Sequence, residues 1–256
     1  MTTTTPDPEI IYRDAHLLVL AKPAGLPTTA PDSQADCLVV RARRLDPQAP
    51  RLHPSSRLDA EVTGLVLFAR TRLATEALLA ARRAGQYTRC YLGVSAGALS
   101  PAVGRIEAAI ALDPRDRRKR RALASDDAGG GKASAAKSAV TRYRVGAVAE
   151  QAALLWLYPQ TGRTHQLRVH AAHCGQPLLG DRHYGGAVRV VRSNGRVVRI
   201  PRVMLHCTAV RVPAPQGGGD LSFYCVPPPD MCAAFAALGG EPGLLQGAPP
   251  EPPSGG

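Results

Sequence analysis

The stretch Thr161–Gly186, TGRTHQLRVHAAHCGQPLLGDRHYGG, decides how this 256-residue chain is read. Thr161-Gly162-Arg163 is a glycine turn, and the residues after it, through Cys174, continue as a helix. The amides of a first helical turn have no partner inside the helix, so they suit a phosphate. His165 and Arg168 lie three apart and Thr164 and Arg168 four apart, which on a helix is one face. Arg163, Thr164 and His165 thus face a polyanion from the first turn. His165, His170, His173 and Cys174 also raise the question of a metal. They do not all share a face, and no carboxylate or CxxC pair completes a site, so no metal is expected.

Outward from this stretch, short apolar runs bounded by turn residues read as strands. IIYRD and LLVLAK precede the turn KPAGLP, with Pro23, Gly25 and Pro27 as its markers. Cys37–Leu45 is apolar at helical spacing. Gly64–Arg70 is a strand, and Thr71 caps a helix to Arg83, with Leu73, Ala77 and Ala80/Ala81 on its apolar face and Gly85 at its end. Further strands are predicted over Tyr91–Ser95, Gly104–Ala111, Ala139–Val145, Ala153–Tyr158, Val203–Val212 and Leu221–Val226, with a last helix over Pro229–Leu238. The expected class is α+β: one compact domain over residues 9–238, a mainly antiparallel mixed sheet flanked by helices. Residues 1–8 are expected as a flexible arm, 113–137 as a mobile basic, Gly-rich loop, and 239–256 as a disordered Gly/Pro-rich tail.

Composition narrows the partners. The chain carries 32 Lys+Arg against 20 Asp+Glu, a formal charge of +12, which points to polyanions. Only Lys22, Lys119, Lys132 and Lys137 are lysines, so 28 of the cations are arginines, the side chain that grips phosphate bidentately. Codon usage in the source genome explains that ratio equally well. A hydrophobic content of 45% excludes a disordered basic chain. No apolar run approaches the ~18 residues of a membrane span, and the N-terminus has no export pattern, so a cytoplasmic protein is expected. Six cysteines without a CxxC pair argue against a disulfide framework or a zinc ribbon.

Two other segments carry chemistry. Ser56-Arg57-Leu58-Asp59 stands just before a buried strand, which puts the Asp59 carboxylate at the edge of the core, where it must be paired or hydrogen-bonded to stay ionised. It is either a catalytic acid group or a structural one helped by Thr63. Glu61 shares the face of Asp59 if the strand begins early, and a hydrolytic glycosidase would need such a second carboxylate. In Arg89-Cys90-Tyr91-Leu92-Gly93-Val94, Tyr91 is a core or rim aromatic, or one that stacks on a base and shuttles a proton.

In this order the three segments resemble the RluA type of pseudouridine synthase, enzymes that modify ribosomal and transfer RNA. The matches are HRLD-x3-SGL, K-x-Y-x-A-x-V, and the long TGRTHQIRVH-x-AH-x-G-x-P-x2-GD-x2-YGG, with residues 9–229 covered in all. The resemblance implies that Asp59 is the catalytic carboxylate, Tyr91 the aromatic against the target base, Arg168 the cation that keeps Asp59 ionised, and Arg57 the residue that fills the gap left by a flipped uridine. It implies cleavage of the bond between N1 of uracil and C1′ of ribose, rotation of the base and rejoining through C5, with no cofactor. The chain departs from the pattern at Ser56 (usually His), Ala60, Val62, Arg89 (usually Lys) and Gly93 (usually Ala); none removes a proposed catalytic group.

RNA, ribosomal or transfer, is the expected partner, with no membrane and no obligate protein partner. Residues 115–121 hold six cations and one acid. The run VRVVRSNGRVVR reads as a basic hairpin within 188–200, turning at Ser193-Asn194-Gly195. A three-residue loop sets Arg192 against Arg196 and Arg189 against Arg199. Facing like charges repel, and an RNA phosphate between them would relieve the strain, although a solvated hairpin with no partner fits too. With about eight residues before the first strand, no additional N-terminal RNA-binding domain is expected. That favours a compact target such as a tRNA loop or a short rRNA hairpin. The alternative to an isomerase is a catalytically silent RNA-binding protein on the same scaffold.

Overall fold

The computed structural model describes residues 5–30, 35–123 and 136–253. In chain order the elements are β1 (Glu9–Arg13), β2 (Leu17–Lys22), α1 (Leu38–Leu45), β3 (His53–Pro54), β4 (Thr63–Ala69), α2 (Arg72–Arg83), β5 (Thr88–Ser95), β6 (Val103–Glu107), β7 (Ala109–Leu112), β8 (Arg120–Leu123), β9 (Val140–Val148), β10 (Ala153–Pro159), α3 (Gln166–His173), β11 (Arg189–Val191), β12 (Val197–Arg199), β13 (Leu205–Pro213), β14 (Asp220–Tyr224), α4 (Pro229–Ala237) and α5 (Gly243–Gln246). The α+β class with mainly antiparallel pairing holds. Backbone packing resolves the chain into two compact units, Met1–Arg89 with His206–Pro227, and Cys90–Leu205 with Pro228–Gly256.

The first unit is built on β2 and β4, antiparallel from Leu17↔Ala69 to Lys22↔Gly64. Every residue of β4 is buried, as a continuous apolar run predicts. β1 pairs with the far side of β2. On the other side of β4, β13 runs parallel, His206 beside Thr63 and Cys207 beside Gly64, and β14 pairs antiparallel with β13. Gly64 has φ +108, and a Cβ there would overlap the main chain of Cys207, so only glycine permits this approach.

Thr71 caps α2 by accepting the Ala74 amide at 3.1 Å, a contact worth about 1 kcal/mol in typical helices. The buried face is Ala74, Leu78 and Ala81, one residue on from the predicted face, and Leu73 is 50% exposed. Alanine and leucine occur all around this helix, so the pattern alone does not choose between adjacent faces. That buried face packs on β4. The expected flexible arm is tethered where it is described. Arg41 of α1 donates to the carbonyls of Thr5 and Pro6 at 2.9 and 2.7 Å and pairs with Asp7 and Asp36.

In the second unit the sheet order is β5-β10-β9-β6, all antiparallel, with β10 fully buried. The strand predicted over Gly104–Ala111 is broken at Ala108: β6 stays on β9, and β7 leaves it to pair with β8. β8 lies inside the segment expected to be a structureless loop. Ladder hydrogen bonds belong to the backbone, so an arginine-rich stretch can still form a strand. Residues 124–135 of the same segment lie outside the described residues. The tail expected to be disordered is instead built into this unit through Pro253. Leu245 of α5 is fully buried, the Tyr158 hydroxyl donates to the Pro250 carbonyl at 2.5 Å, and Arg142 donates to the Pro253 carbonyl at 3.0 Å.

Candidate active site

The Ser56–Asp59 segment lies between β3 and β4 of the first unit, and its exposure alternates: Ser56 and Leu58 are buried, Arg57 is exposed, Asp59 is half-buried. Thr28 clamps it from both sides of Leu58, donating its hydroxyl to the Leu58 carbonyl at 2.8 Å and accepting the Leu58 amide at 2.9 Å. Just beyond, the Ala60 carbonyl receives Lys22 Nζ at 2.9 Å and the Gly25 amide at 2.9 Å. Lys22 is 2% exposed, and its ammonium also donates to the carbonyls of Pro23 and Leu26 at 2.8 and 2.7 Å. A buried ammonium must be fully hydrogen-bonded, and here the KPAGLP turn and the Asp59 loop supply its acceptors.

The Val62 amide bonds to the Asp59 carbonyl at 3.1 Å, closing a turn before β4 starts at Thr63. The strand continuation that would set Glu61 on the face of Asp59 does not form, and Glu61 is exposed in the turn. Thr63 does not serve Asp59 as a helper in the way the structural alternative supposed. Its hydroxyl lies 2.9 Å from Nδ1 of His206, whose Nε2 donates to the Cys225 carbonyl at 3.0 Å.

In the second unit, Thr161–Gly186 forms a network of side chains. Gln166 opens α3 and is 4% exposed. Its carbonyl oxygen accepts the Thr161 hydroxyl at 2.7 Å and the Arg163 amide at 3.0 Å, while its nitrogen donates to Val140 and Thr141 of β9. Arg163 and Thr164 are exposed, as a role toward RNA requires. Thr164 precedes the helix, however, so the four-residue helical spacing to Arg168 does not apply. His165 at the N-cap is left-handed, φ 58. The common face reappears through Tyr184. Its hydroxyl lies 2.6 Å from Nδ1 of His165 and accepts the Arg120 amide at 2.9 Å, and its ring lies 5.1 Å from the Arg168 guanidinium.

Arg168 is buried and bidentate on Asp181, Nε and Nη2 each donating at 2.8 Å to a separate carboxylate oxygen. The Asp181 side chain has no exposure. Asp181 sits in a tight turn in which the Gly186 amide returns to the Asp181 carbonyl at 2.8 Å, and a Cβ on Gly186 would overlap the Leu178 carbonyl. Asp181 and Tyr184 lie within the opening stretch but had no role assigned from sequence. The available signal was an arginine set between the apolar Leu167 and Val169, which needs a carboxylate nearby if the helix is buried. His170, raised as a metal ligand, is 1% exposed: Nε2 donates to the Ala108 carbonyl at 3.1 Å, so Nδ1 accepts from Thr141 at 2.9 Å. Burial lowers its pKa. Among the described residues no His, Cys, Asp or Glu cluster has the makings of a metal site, and no helix is long and apolar enough to cross a membrane.

Tyr91 lies on β5, 5% exposed and opposite Leu157. The hairpin has the expected register, Arg189 opposite Arg199, with the Arg192 amide on the Arg196 carbonyl at 2.9 Å and Gly195 at φ +77. The anion facing Arg192 belongs to the protein itself: Nη2 lies 2.7 Å from Glu150, and Nη1 donates to the Ala237 carbonyl. Glu150 also accepts the Ser193 amide, and hydrogen bonds from the Ser193 side chain, from Arg192 and from that amide hold its pKa down to about 2. Arg189, Arg196 and Arg199 remain exposed.

Residues 16–173 match the family model for RNA pseudouridylate synthase. The ribosomal large subunit pseudouridine synthase D of Xylella fastidiosa is 33% identical over 239 residues, 90% of this chain and 69% of that one. The dual-specificity RNA pseudouridine synthase RluA of Escherichia coli is 31% identical over 216 residues, 84% of this chain and 90% of its own. The solved structure of human RNA pseudouridylate synthase domain containing 4 superposes with a TM-score of 0.70 at 25% identity, covering 90% of this chain and 92% of that one. The chain therefore belongs to the RNA pseudouridylate synthase family, enzymes that isomerise uridine to pseudouridine in RNA.

Proposed function

We propose that the substrate is a structured ribosomal or transfer RNA, with large-subunit rRNA the first to test, and that Asp59 is the carboxylate on which the isomerisation depends. The observation that carries the assignment of Asp59 is the alternation on its loop: Leu58 is locked inward by Thr28, so Arg57 points to solvent and Asp59 stands at the boundary. The names of the relatives support a ribosomal target, and a cytoplasmic location goes with that reading.

A stacked uridine cannot be reached, so it must be flipped out at a cost of a few kcal/mol. Arg57, exposed beside Asp59, is the side chain proposed to occupy the vacated place. Tyr91 is the aromatic proposed to pack against the extruded base, and Arg168 the cation proposed to serve the reaction. The bond from N1 to C1′ breaks, the bond from C5 to C1′ forms, C5 gives up its proton and N1 gains one. Atoms and electrons balance within the nucleotide, so the step calls for no cofactor. Asp181 keeps the Arg168 guanidinium in one orientation. Arg163, Thr164 and His165, together with Arg189, Arg196 and Arg199, are proposed phosphate contacts. Arg192 joins them only if RNA displaces Glu150.

Asp59→Asn is expected to abolish pseudouridine formation, read by liquid chromatography of the nucleosides of rRNA incubated with the protein, in which pseudouridine separates from the uridine of equal mass, while RNA affinity stays near wild type. An active Asp59→Asn enzyme would remove Asp59 from the mechanism. Mapping pseudouridines in a deletion strain against its parent identifies the RNA, and a missing modification in tRNA rather than rRNA would correct the substrate.

A further inference from the structure

The first unit holds a cleft of about 750 Å³ between the end of α1, the loop that follows it, β3 and Thr75 of α2. Pro47, Pro50 and Leu52 give it apolar walls, and Arg43, Arg51 and His53 stand exposed around them. The single carboxylate in the lining, Asp46, is already neutralised. Arg70 donates Nε and Nη2 to it at 2.5 and 3.0 Å, and the Asp46 side chain is 3% exposed. The cleft therefore combines apolar walls with uncompensated positive charge at its rim, the pairing a nucleotide needs, base against the walls and phosphate at the rim.

Position adds a second argument. His53 and Pro54 form β3, and the chain runs from there directly into the loop of Arg57 and Asp59. Four residues of extended chain span at most about 14 Å, so the cleft lies within a few nucleotides of Arg57. We infer that this cleft is a second RNA-binding site, taking a phosphodiester of the strand that flanks the target uridine on Arg43 and Arg51. The inference rests on the reading of the chain as an RNA-modifying enzyme. It adds a grip on the same unit as Asp59, apart from the basic segments already considered.

The test measures binding of the full-length protein to a fluorescein-labelled RNA stem-loop with uridines in its loop, over a range of salt concentrations. Neutralising both residues, Arg43→Gln with Arg51→Gln, should weaken binding about tenfold or more at low salt and make the slope of log K against log salt shallower by about 1.5, the loss of two phosphate contacts. A control with the same charge change at exposed positions outside the cleft, Arg13→Gln with Arg83→Gln, should change the slope far less. Wild-type affinity and slope in the cleft variant overturn the inference, and so does an equal effect in the control, which would make net charge the cause. Pseudouridine formation by the wild type on the same RNA is scored separately, so a failure of the catalytic reading shows there and leaves the binding comparison intact.

Discussion

The loop that carries Asp59 and the helix that carries Arg168 are fixed by opposite means. Around Asp59 the atoms held are main-chain ones: the Thr28 hydroxyl spans the amide and carbonyl of Leu58, and the Lys22 ammonium reaches three carbonyls. Around Arg168 they are side chains, Asp181 on the guanidinium, Gln166 across Thr161 and β9, Tyr184 against His165. Main-chain anchoring fixes a loop's path whatever side chain it displays. Side-chain anchoring fixes one group and ties it to each partner, so substitutions should be tolerated differently in the two regions.

The largest expected effect is at Asp181. Asp181→Ala leaves the buried Arg168 guanidinium without its carboxylate and should cost about 3–5 kcal/mol, read from the urea midpoint at constant m-value. A cost near zero would show that the pair is not what holds α3. Lys22→Met ranks next. It strips a donor from the Pro23, Leu26 and Ala60 carbonyls, of which Ala60 retains the Gly25 amide, so a loss of about 1–3 kcal/mol is expected. Its RNA-modifying activity should fall further than its stability if the ammonium fixes the path of the Asp59 loop, and equal losses would reduce Lys22 to ordinary core support.

The smallest effect concerns pH. His170 is buried with its folded pKa below the ordinary 6.5. Between the folded and unfolded values the unfolded chain carries the extra proton, so stability is complete above about pH 6.5 and declines as pH falls below it. His170→Gln should flatten that decline in urea melts, and an unchanged pH slope would assign the acid sensitivity to other groups.

The main elements were legible in the sequence because continuous apolar runs such as GLVLFA admit few alternatives to a buried strand. The α2 face was off by one residue because alanine and leucine surround that helix, and the decision fell to a close contact with β4. β8 and the ordered tail were missed for a shared reason. Both are held chiefly through main-chain acceptors and donors, among them the carbonyls of Pro250 and Pro253, and these leave no trace in residue type. At the site, the Gly and Pro punctuation of KPAGLP disclosed a turn but not that Lys22 would be its centre. The Arg168–Asp181 pair spans 13 positions, and only the folded helix and turn bring its two ends together.

Lys22 also has a consequence for chemical labelling. An amine reacts with acylating reagents through a lone pair, and the Lys22 ammonium keeps its three protons on three carbonyls beneath a closed turn. Acylation must wait for the turn to open and the proton to leave. The slow modification of this one lysine, located by peptide mapping, therefore clocks how often the loop beside Asp59 comes undone.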